Sequence, residues 1–182
     1  MKAMPNKKRQ FGMTFIEVLV ALFILVTGVL GAVAMQASVK KGSFDAMQRS
    51  LASALAQDIV DKMRSNDPLA LAGYVRSDYG VALDAVPASR CRTVAAICTP
   101  AEMVINDRYE WEAALMGANV LQGASNAGGL VGARGCITSN LNSFTVVVSW
   151  QGRVETSDDP NANVCGIAGD KRRQVIVEAF IY

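Results

Sequence analysis

Three residues that could take part in a reaction or an ion pair lie where a short basic segment meets a long apolar one. Gly12 and Met13 directly precede the apolar run, and Glu17 lies inside it. Cleavage of the peptide bond between Gly12 and Met13 would create an α-ammonium group at Met13. Because four residues of helix rise about 6 Å, Glu17 would then lie one turn from that ammonium. The spacing predicts a processing point followed by a carboxylate that can neutralise an amino terminus.

Glu17 needs such a partner, because a carboxylate at membrane depth costs roughly 2.5–3.5 kcal/mol even on the most lenient insertion scale. When helices stack side by side in an apolar environment, Glu17 of one subunit can pair with the Met13 ammonium of its neighbour. Both charges would otherwise remain unpaired, so the pair would set the stagger of the helices as well as their attraction. The helix dipole also favours a negative charge in the first turn. We therefore predict that Glu17 docks subunits. The alternative is an uncleaved signal anchor, which leaves the charge unexplained.

The stretch from Gly12 to Leu22, GMTFIEVLVAL, resembles the class III signal of type IV pilins and pseudopilins. In that family a prepilin peptidase cleaves after the glycine and methylates the new amino terminus. The resemblance therefore implies cleavage between Gly12 and Met13 and N-methylation of Met13. Family members most often begin the mature chain with phenylalanine, whereas this chain has Met13 at that position.

Composition argues against catalysis and nucleic-acid binding. The 182 residues contain 18 Lys and Arg against 16 Asp and Glu, a formal net charge of +2. Removing the four leader cations (Lys2, Lys7, Lys8 and Arg9) leaves 14 against 16, so the mature chain is slightly acidic. The sequence contains no histidine, which removes the commonest general base and most transition-metal sites. We expect no enzymatic activity, no cofactor, no small-molecule substrate and no nucleic-acid partner.

The charge pattern predicts one membrane segment. Residues 1–12 form a basic leader whose charges should keep the amino terminus in the cytoplasm. Val18–Val39 contains no charged residue and, as a helix, spans roughly 33 Å, enough for a hydrocarbon core of about 30 Å. We therefore divide the chain into the leader, a transmembrane and fibre-core helix (13–39), an amphipathic continuation (40–66) and a periplasmic domain (67–182).

Periodicity predicts an α+β fold with a pilin-like architecture, in which a long helix packs on a small antiparallel sheet. One helix should run from about Thr14 to Arg64 and stop before Pro68, because proline disfavours helical geometry in the preceding residue. Its second half carries an apolar face at spacings of three or four: Phe44, Met47, Leu51, Leu55, Ile59 and Met63.

The rest of the domain should contain one more helix and three strands. Thr99-Pro100-Ala101-Glu102 is a capping box and predicts a helix running to about Met116, with Met103, Tyr109 or Ile105, Trp111 and Leu115 on one face. The predicted strands are residues 134–138, 144–150 and 174–181. We expect a loop with one short helical turn over residues 69–90, a long turn or loop over 123–135, and turns at 140–143 and 158–169. The basic residues 171–173 favour a solvated strand edge over an acidic or phosphate partner.

All four cysteines follow the membrane segment, where an oxidising periplasm favours disulfides. The sequence allows three pairings, and locality favours Cys91–Cys98 and Cys136–Cys165. A zinc site is the competing interpretation, but neither pair has the short spacing of zinc ligands. Asp159, Asn161, Asn163 and Asp170 are spaced like calcium ligands, yet residue 164 is valine where that loop requires glycine. We expect no metal.

Two later stretches, Cys98 to Met103 (CTPAEM) and Thr145 to Gly152 (TVVVSWQG), resemble PilV-type minor pilins. The resemblance implies a low-abundance subunit at or near the tip of a type IV pilus that primes assembly and supports adhesion or twitching motility. Its partners would be prepilin peptidase, other minor pilins, the major pilin, the inner-membrane assembly platform and, before assembly, membrane lipid. The alternatives are a minor pseudopilin of a type II secretion system, a major pilin and a membrane-tethered enzyme.

Overall fold

A computed structural model describes residues 12–93, 97–156, 165–166 and 168–181. Most of the predicted leader (residues 1–11) and most of the predicted turn at 158–169, including Asp159, Asn161 and Asn163, lie outside these residues. The chain divides into two compact units, Met1–Gly42 and Ser43–Tyr182.

Helix α1, Phe15–Ser65, contributes to both units, and its bounds confirm the predicted helix to within one residue at each end. In the first unit, every described residue is exposed to solvent. Within the described residues α1 alone is long and apolar enough to cross a membrane, and its most apolar window is entirely unburied. An isolated helix with this surface needs either lipid or other apolar helices around it.

The second unit holds the hydrophobic core, and the later part of α1 forms one wall of it. The predicted apolar face is right for Leu55, Ile59 and Met63, which are buried. It is wrong for Met47, which is exposed, and incomplete because the small residues Ala52 and Ala56 are fully buried. Alanines on the inner face let the rest of the domain approach the helix backbone closely, which large side chains would prevent.

The chain leaves α1 through a capped 3-10 helix, which is the short helical turn expected in this region. The Asp67 side chain accepts a hydrogen bond from the Leu69 N–H at 2.8 Å and starts the 3-10 helix Pro68–Tyr74. Strand β1, Arg76–Tyr79, follows within the region predicted as loop. Its sequence, RSDY, lacks alternating apolar residues because β1 is a short edge strand in which Tyr79 alone is buried.

Helix α2, Pro100–Met116, has the predicted bounds and capping box. The predicted inner face is right for Trp111 and Leu115, which are buried, and wrong for Ile105, which is exposed. Three polar residues are also buried, alongside Val104 and Ala113: Asn106, Asp107 and Glu112. Apolar periodicity missed this face because polar side chains with fixed partners occupy it.

The main sheet is antiparallel, with strand order β1-β4-β5-β6. Strands β4 (Arg134–Asn140), β5 (Ser143–Gln151) and β6 (Arg172–Phe180) correspond to the three predicted strands, with bounds that differ by one or two residues. A separate hairpin pairs β2 (Leu121–Gln122) with β3 (Ser125–Asn126). Strand β3 lies within the predicted turn or loop at 123–135, and β2 lies in a stretch for which no element was predicted.

The inner face of β5 packs on the helices, as its alternation predicts. Phe144, Val146, Val148 and Trp150 are all buried there. On the opposite face Val147 is also buried, because the disulfide between Cys136 and Cys165 covers it. The second disulfide joins Cys91 and Cys98, so the two bonds are the pairs that locality favoured.

The prediction of a solvated basic edge at residues 171–173 is wrong for two of its three members. Arg172 is buried and donates a hydrogen bond to the Ser149 hydroxyl at 3.0 Å. Arg173 is half-buried and forms a salt bridge with Asp45 on α1 at 3.2 Å. The pairing of β6 with β5 turns these residues onto the two faces of the sheet, so each finds a partner that sequence distance concealed.

Contact between Gly135 and Trp111 provides a test of the core. A Cβ atom at Gly135 would lie 2.6 Å from the Trp111 ring, and the ring is itself held because its Nε1–H donates to the Leu55 carbonyl at 2.8 Å. We expect Gly135→Ala to destabilise the fold by about 1–3 kcal/mol, as overpacking does elsewhere. The measurement is urea unfolding of a soluble fragment starting at Ser43, since every core residue lies beyond that point.

Gly169→Ala is the matched control, because a Cβ there meets nothing within 4 Å. Equal stability of the two variants would contradict the packing described for Trp111.

Candidate functional site

The sequence-predicted site residues at the amino terminus are brought together by the start of α1. Gly12, Met13 and Thr14 precede the helix and are exposed, so the predicted scissile bond between Gly12 and Met13 lies outside regular secondary structure. A protease needs an extended peptide rather than a helical one to reach a carbonyl carbon. The position of this bond is therefore chemically suitable for cleavage.

Glu17 is bound within its own chain through a capping box. Its carboxylate oxygen accepts hydrogen bonds from the Thr14 N–H at 2.8 Å and from the Thr14 hydroxyl at 2.9 Å. The Glu17 N–H donates in return to the Thr14 hydroxyl oxygen at 3.4 Å. These reciprocal bonds satisfy amide groups that the first helical turn leaves without partners, and they define where the helix begins.

Thr14 is the functional residue that sequence reasoning missed. The signal for it was present, since threonine followed three positions later by glutamate and an apolar run is the same pattern that predicted the start of α2. The α2 box has nearly identical geometry: the Thr99 N–H and hydroxyl lie 2.8 and 2.9 Å from the Glu102 carboxylate. Glu17 therefore has a capping role as well as a charge.

The capping box changes what Glu17 can do chemically. Two hydrogen bonds from Thr14 hold its carboxylate in one orientation at the start of the helix. Both bonds go to the same oxygen, so the other oxygen is not used by Thr14. A carboxylate has about four acceptor positions, so the second oxygen can accept a further donor such as an ammonium group. Capping and docking are therefore compatible uses of the same side chain.

In the second unit, a charged cluster joins both helices to the Cys91–Cys98 loop. The Glu110 carboxylate on α2 lies 3.4 Å from Lys62 of α1, 3.2 Å from Arg90 and 2.8 Å from Arg92. Burial alone would raise the pKa of Glu110, but the hydrogen bond from Arg92 and the charge of Lys62 outweigh it and lower the pKa to about 2. The cluster anchors the disulfide loop to the helices.

Two further carboxylates of α2 hold neighbouring segments in place. Glu112 is fully buried and accepts hydrogen bonds from the backbone N–H groups of Gly80 and Asp84 at 2.8 and 2.9 Å. Asp107 accepts from the Tyr74 hydroxyl at 2.6 Å, and burial raises the pKa of Asp107. Each carboxylate therefore has a structural partner. Among the described residues, no group of three metal-ligating side chains is close enough to hold an ion.

Comparison with protein families identifies the amino-terminal signal. A family model described as the prokaryotic N-terminal methylation motif matches residues 7–33. The chain carries a type IV pilin-like prepilin signal. Comparisons with curated proteins and with solved structures give no match.

The prepilin signal indicates a type IV pilin or pseudopilin, and it implies processing by prepilin peptidase and assembly with other pilins. Proteins with this motif are structural subunits rather than enzymes. The matched residues contain Gly12, Met13, Thr14 and Glu17, together with much of the apolar part of α1. The long apolar helix is consistent with membrane anchoring of a pilin.

The Glu110 cluster generates a pH-dependent prediction. Because the folded pKa of Glu110 lies below its ordinary value of 4.5, its contribution is fully present above about pH 5 and is lost as the pH falls towards 2. We expect Glu110→Gln to lower the free energy of unfolding at pH 7 by about 1–2 kcal/mol, allowing for solvent screening. The difference from wild type should shrink steadily between pH 4.5 and pH 2.

Urea unfolding of the fragment starting at Ser43 measures this difference across the pH range. Glu178→Gln is the control, because Glu178 is exposed on β6 and forms no salt bridge among the described residues. A difference between Glu110→Gln and wild type that does not change with pH would contradict the charge assignment.

Proposed function

We propose that this chain is a minor pilin of a type IV pilus, incorporated at or near the tip, where it helps to prime assembly and supports adhesion or twitching motility. The observation that carries the proposal is the prepilin signal followed by an apolar helix and a disulfide-bonded α+β domain. The resemblance of residues 98–103 and 145–152 to PilV-type minor pilins favours this role over that of a major pilin.

The proposal includes a topology and a processing sequence. The chain is first inserted in the inner membrane through residues 13–39, with its amino terminus in the cytoplasm and its α+β domain in the periplasm. Prepilin peptidase then cleaves between Gly12 and Met13 and methylates Met13. Val18–Val39 contains no charged residue, so the same apolar surface serves in lipid and in the core of a fibre.

In the fibre, Glu17 pairs with the amino terminus of a neighbouring subunit. The structure supports this role because the capping box orients the carboxylate while leaving one oxygen available. Removing one partner of a buried charge pair costs about 3–5 kcal/mol, since the other charge is left uncompensated. Glu17 therefore has a larger effect on assembly than on the fold of its own helix, whose cap contributes only about 1 kcal/mol.

Separating the charge of Glu17 from its capping role tests the docking proposal. Glu17→Gln keeps an acceptor oxygen for Thr14 but removes the charge, whereas Thr14→Ala removes the hydroxyl and keeps the carboxylate. We expect Glu17→Gln to reduce incorporation into sheared fibres by about tenfold or more and Thr14→Ala to leave it nearly unchanged. The measurement is the ratio of fibre-associated to membrane-bound protein.

Glu102→Gln is the matched control, because Glu102 caps α2 with nearly the same geometry outside the membrane segment. Normal incorporation of Glu17→Gln together with poor incorporation of Thr14→Ala would mean that capping, and not charge pairing, is the role of Glu17.

A deletion strain separates the minor-pilin role from that of a minor pseudopilin, which shares the prepilin signal. The strain is complemented with wild type or Glu17→Ala, and both surface pili and secretion of type II substrates are quantified. We expect pili to fall while secretion continues, and Glu17→Ala to fail to restore them. Continued piliation with lost secretion would identify a pseudopilin instead.

A further inference from the structure

The lysine and arginine side chains that the structure describes fall into two groups. Every one between Lys62 and Arg134, together with Arg172 and Arg173, donates to a carboxylate, carbonyl, amide or hydroxyl oxygen. The others form no side-chain hydrogen bond or ion pair with any described residue: Lys40, Lys41, Arg49, Arg153 and Lys171. An external anion is therefore needed to neutralise this second group.

Two of these cations lie beside the first residues of the second unit. The Arg153 guanidinium lies over the Phe44 ring, 4.0 Å from its centroid, and the Arg153 N–H donates to the Asp45 carboxylate at 3.1 Å. Lys171 is held next to Arg153, because the Gly152 N–H donates to the Lys171 carbonyl at 2.7 Å. Arg153 and Lys171 are both exposed. We call Phe44, Arg153 and Lys171 the basic end of the domain.

The basic end follows closely on the apolar run of the sequence. Phe44 lies five residues after Val39, the last residue of the uncharged run, and both belong to α1. Five residues of helix rise about 7.5 Å, which is about the thickness of the headgroup layer on one side of a bilayer. When Val18–Val39 spans the hydrocarbon core, Phe44 and the guanidinium over its ring therefore lie at the depth of the lipid phosphates.

Charge in this part of the chain favours an anionic partner. Three carboxylates occur here, and the first of them is already paired with Arg173: Asp45, Glu155 and Asp170. Six cations outnumber them: Lys40, Lys41, Arg49, Arg153, Lys171 and Arg173. The Phe44 ring covers one face of the Arg153 guanidinium, and the N–H groups at the rim of a guanidinium suit the oxygens of a phosphate group.

We propose that the basic end binds the phosphate groups of anionic phospholipids while the chain is stored in the membrane. Arg153 donates to phosphate oxygens, Lys171 adds a second positive charge, and Phe44 orients the guanidinium. The inference rests on the proposed function, whose membrane topology it uses, and it names the lipid class that holds the domain against the bilayer. Extraction into a fibre removes these phosphates, so the contact favours the stored state.

Photocrosslinking of the full-length chain in lipid nanodiscs tests the proposal. A photoreactive residue replaces Val154, which is 47% exposed beside Arg153, or Leu69, which is 95% exposed beyond the last turn of α1. We expect mass spectrometry to find phospholipid adducts at position 154 in discs of phosphatidylcholine mixed with phosphatidylglycerol, and none at position 69. Discs of phosphatidylcholine alone should lower the yield at position 154 by at least about threefold. Equal yields at the two positions or in the two lipids overturn the proposal, as does the absence of adducts at position 154.

Substitutions at Arg153 separate phosphate binding from mere proximity to the bilayer. With the photoreactive residue at position 154, we expect Arg153→Gln to lower the adduct yield about fivefold, the usual effect of one cation at an anionic surface. Arg153→Lys keeps the charge and should stay within about twofold of wild type. Arg64→Gln is the matched control, because Arg64 is an exposed cation in the last turn of α1. Equal yields for Arg153→Gln and Arg64→Gln overturn the proposal. Formation of both disulfides and unchanged thermal unfolding show that each variant is folded.

Failure of this inference and failure of the proposed function give different results. Normal piliation in the deletion strain would remove the minor-pilin role, whatever lipid adducts form in nanodiscs. Failure of the lipid contact alone would leave the effects of the deletion and of Glu17→Gln on fibres intact, while position 154 gives no phospholipid adduct that depends on Arg153.

Discussion

A single carboxylate at the beginning of an apolar helix is the constraint on which the first unit depends. Glu17 is too costly in lipid to be left alone, and within its own chain it is bound by Thr14 through two hydrogen bonds. The capping box keeps Gly12 and Met13 outside the helix and begins the apolar surface immediately afterwards. The proposed processing, membrane insertion and subunit docking therefore all involve the same first turn.

In the second unit, a small sheet packs against one helix through apolar and polar contacts. Small residues of α1 allow close approach, and Trp111 bridges the helices by donating its indole N–H to a backbone carbonyl of α1. Polar contacts at the ends complete the attachment: Asp45 binds Arg173 near one end of this part of α1, and Lys62 binds Glu110 near the other. Apolar packing supplies most of the energy, and the charge pairs fix the orientation.

Four carboxylates of α2 each bind a neighbouring part of the fold. Glu102 caps α2, Glu110 attaches the disulfide loop, Glu112 holds the segment after β1, and Asp107 binds Tyr74. The two disulfides serve the same purpose, because each closes a loop beside a helix or strand that the small core alone holds weakly.

The sequence alone determined the features that depend on local pattern. The bounds of α1 and α2, the inner face of β5 and the prepilin signal all follow from residues close together in the chain, where periodicity and capping are visible. Tertiary structure decided the features that depend on distant partners. Arg172 and Arg173 resemble a solvated edge until β5 and α1 bring Ser149 and Asp45 to them. Strand β1 has too little apolar alternation to be recognised and forms because β4 offers it an edge. The inner positions of Asn106, Asp107 and Glu112 were likewise hidden, since a buried polar residue is stable only when the fold supplies its partner.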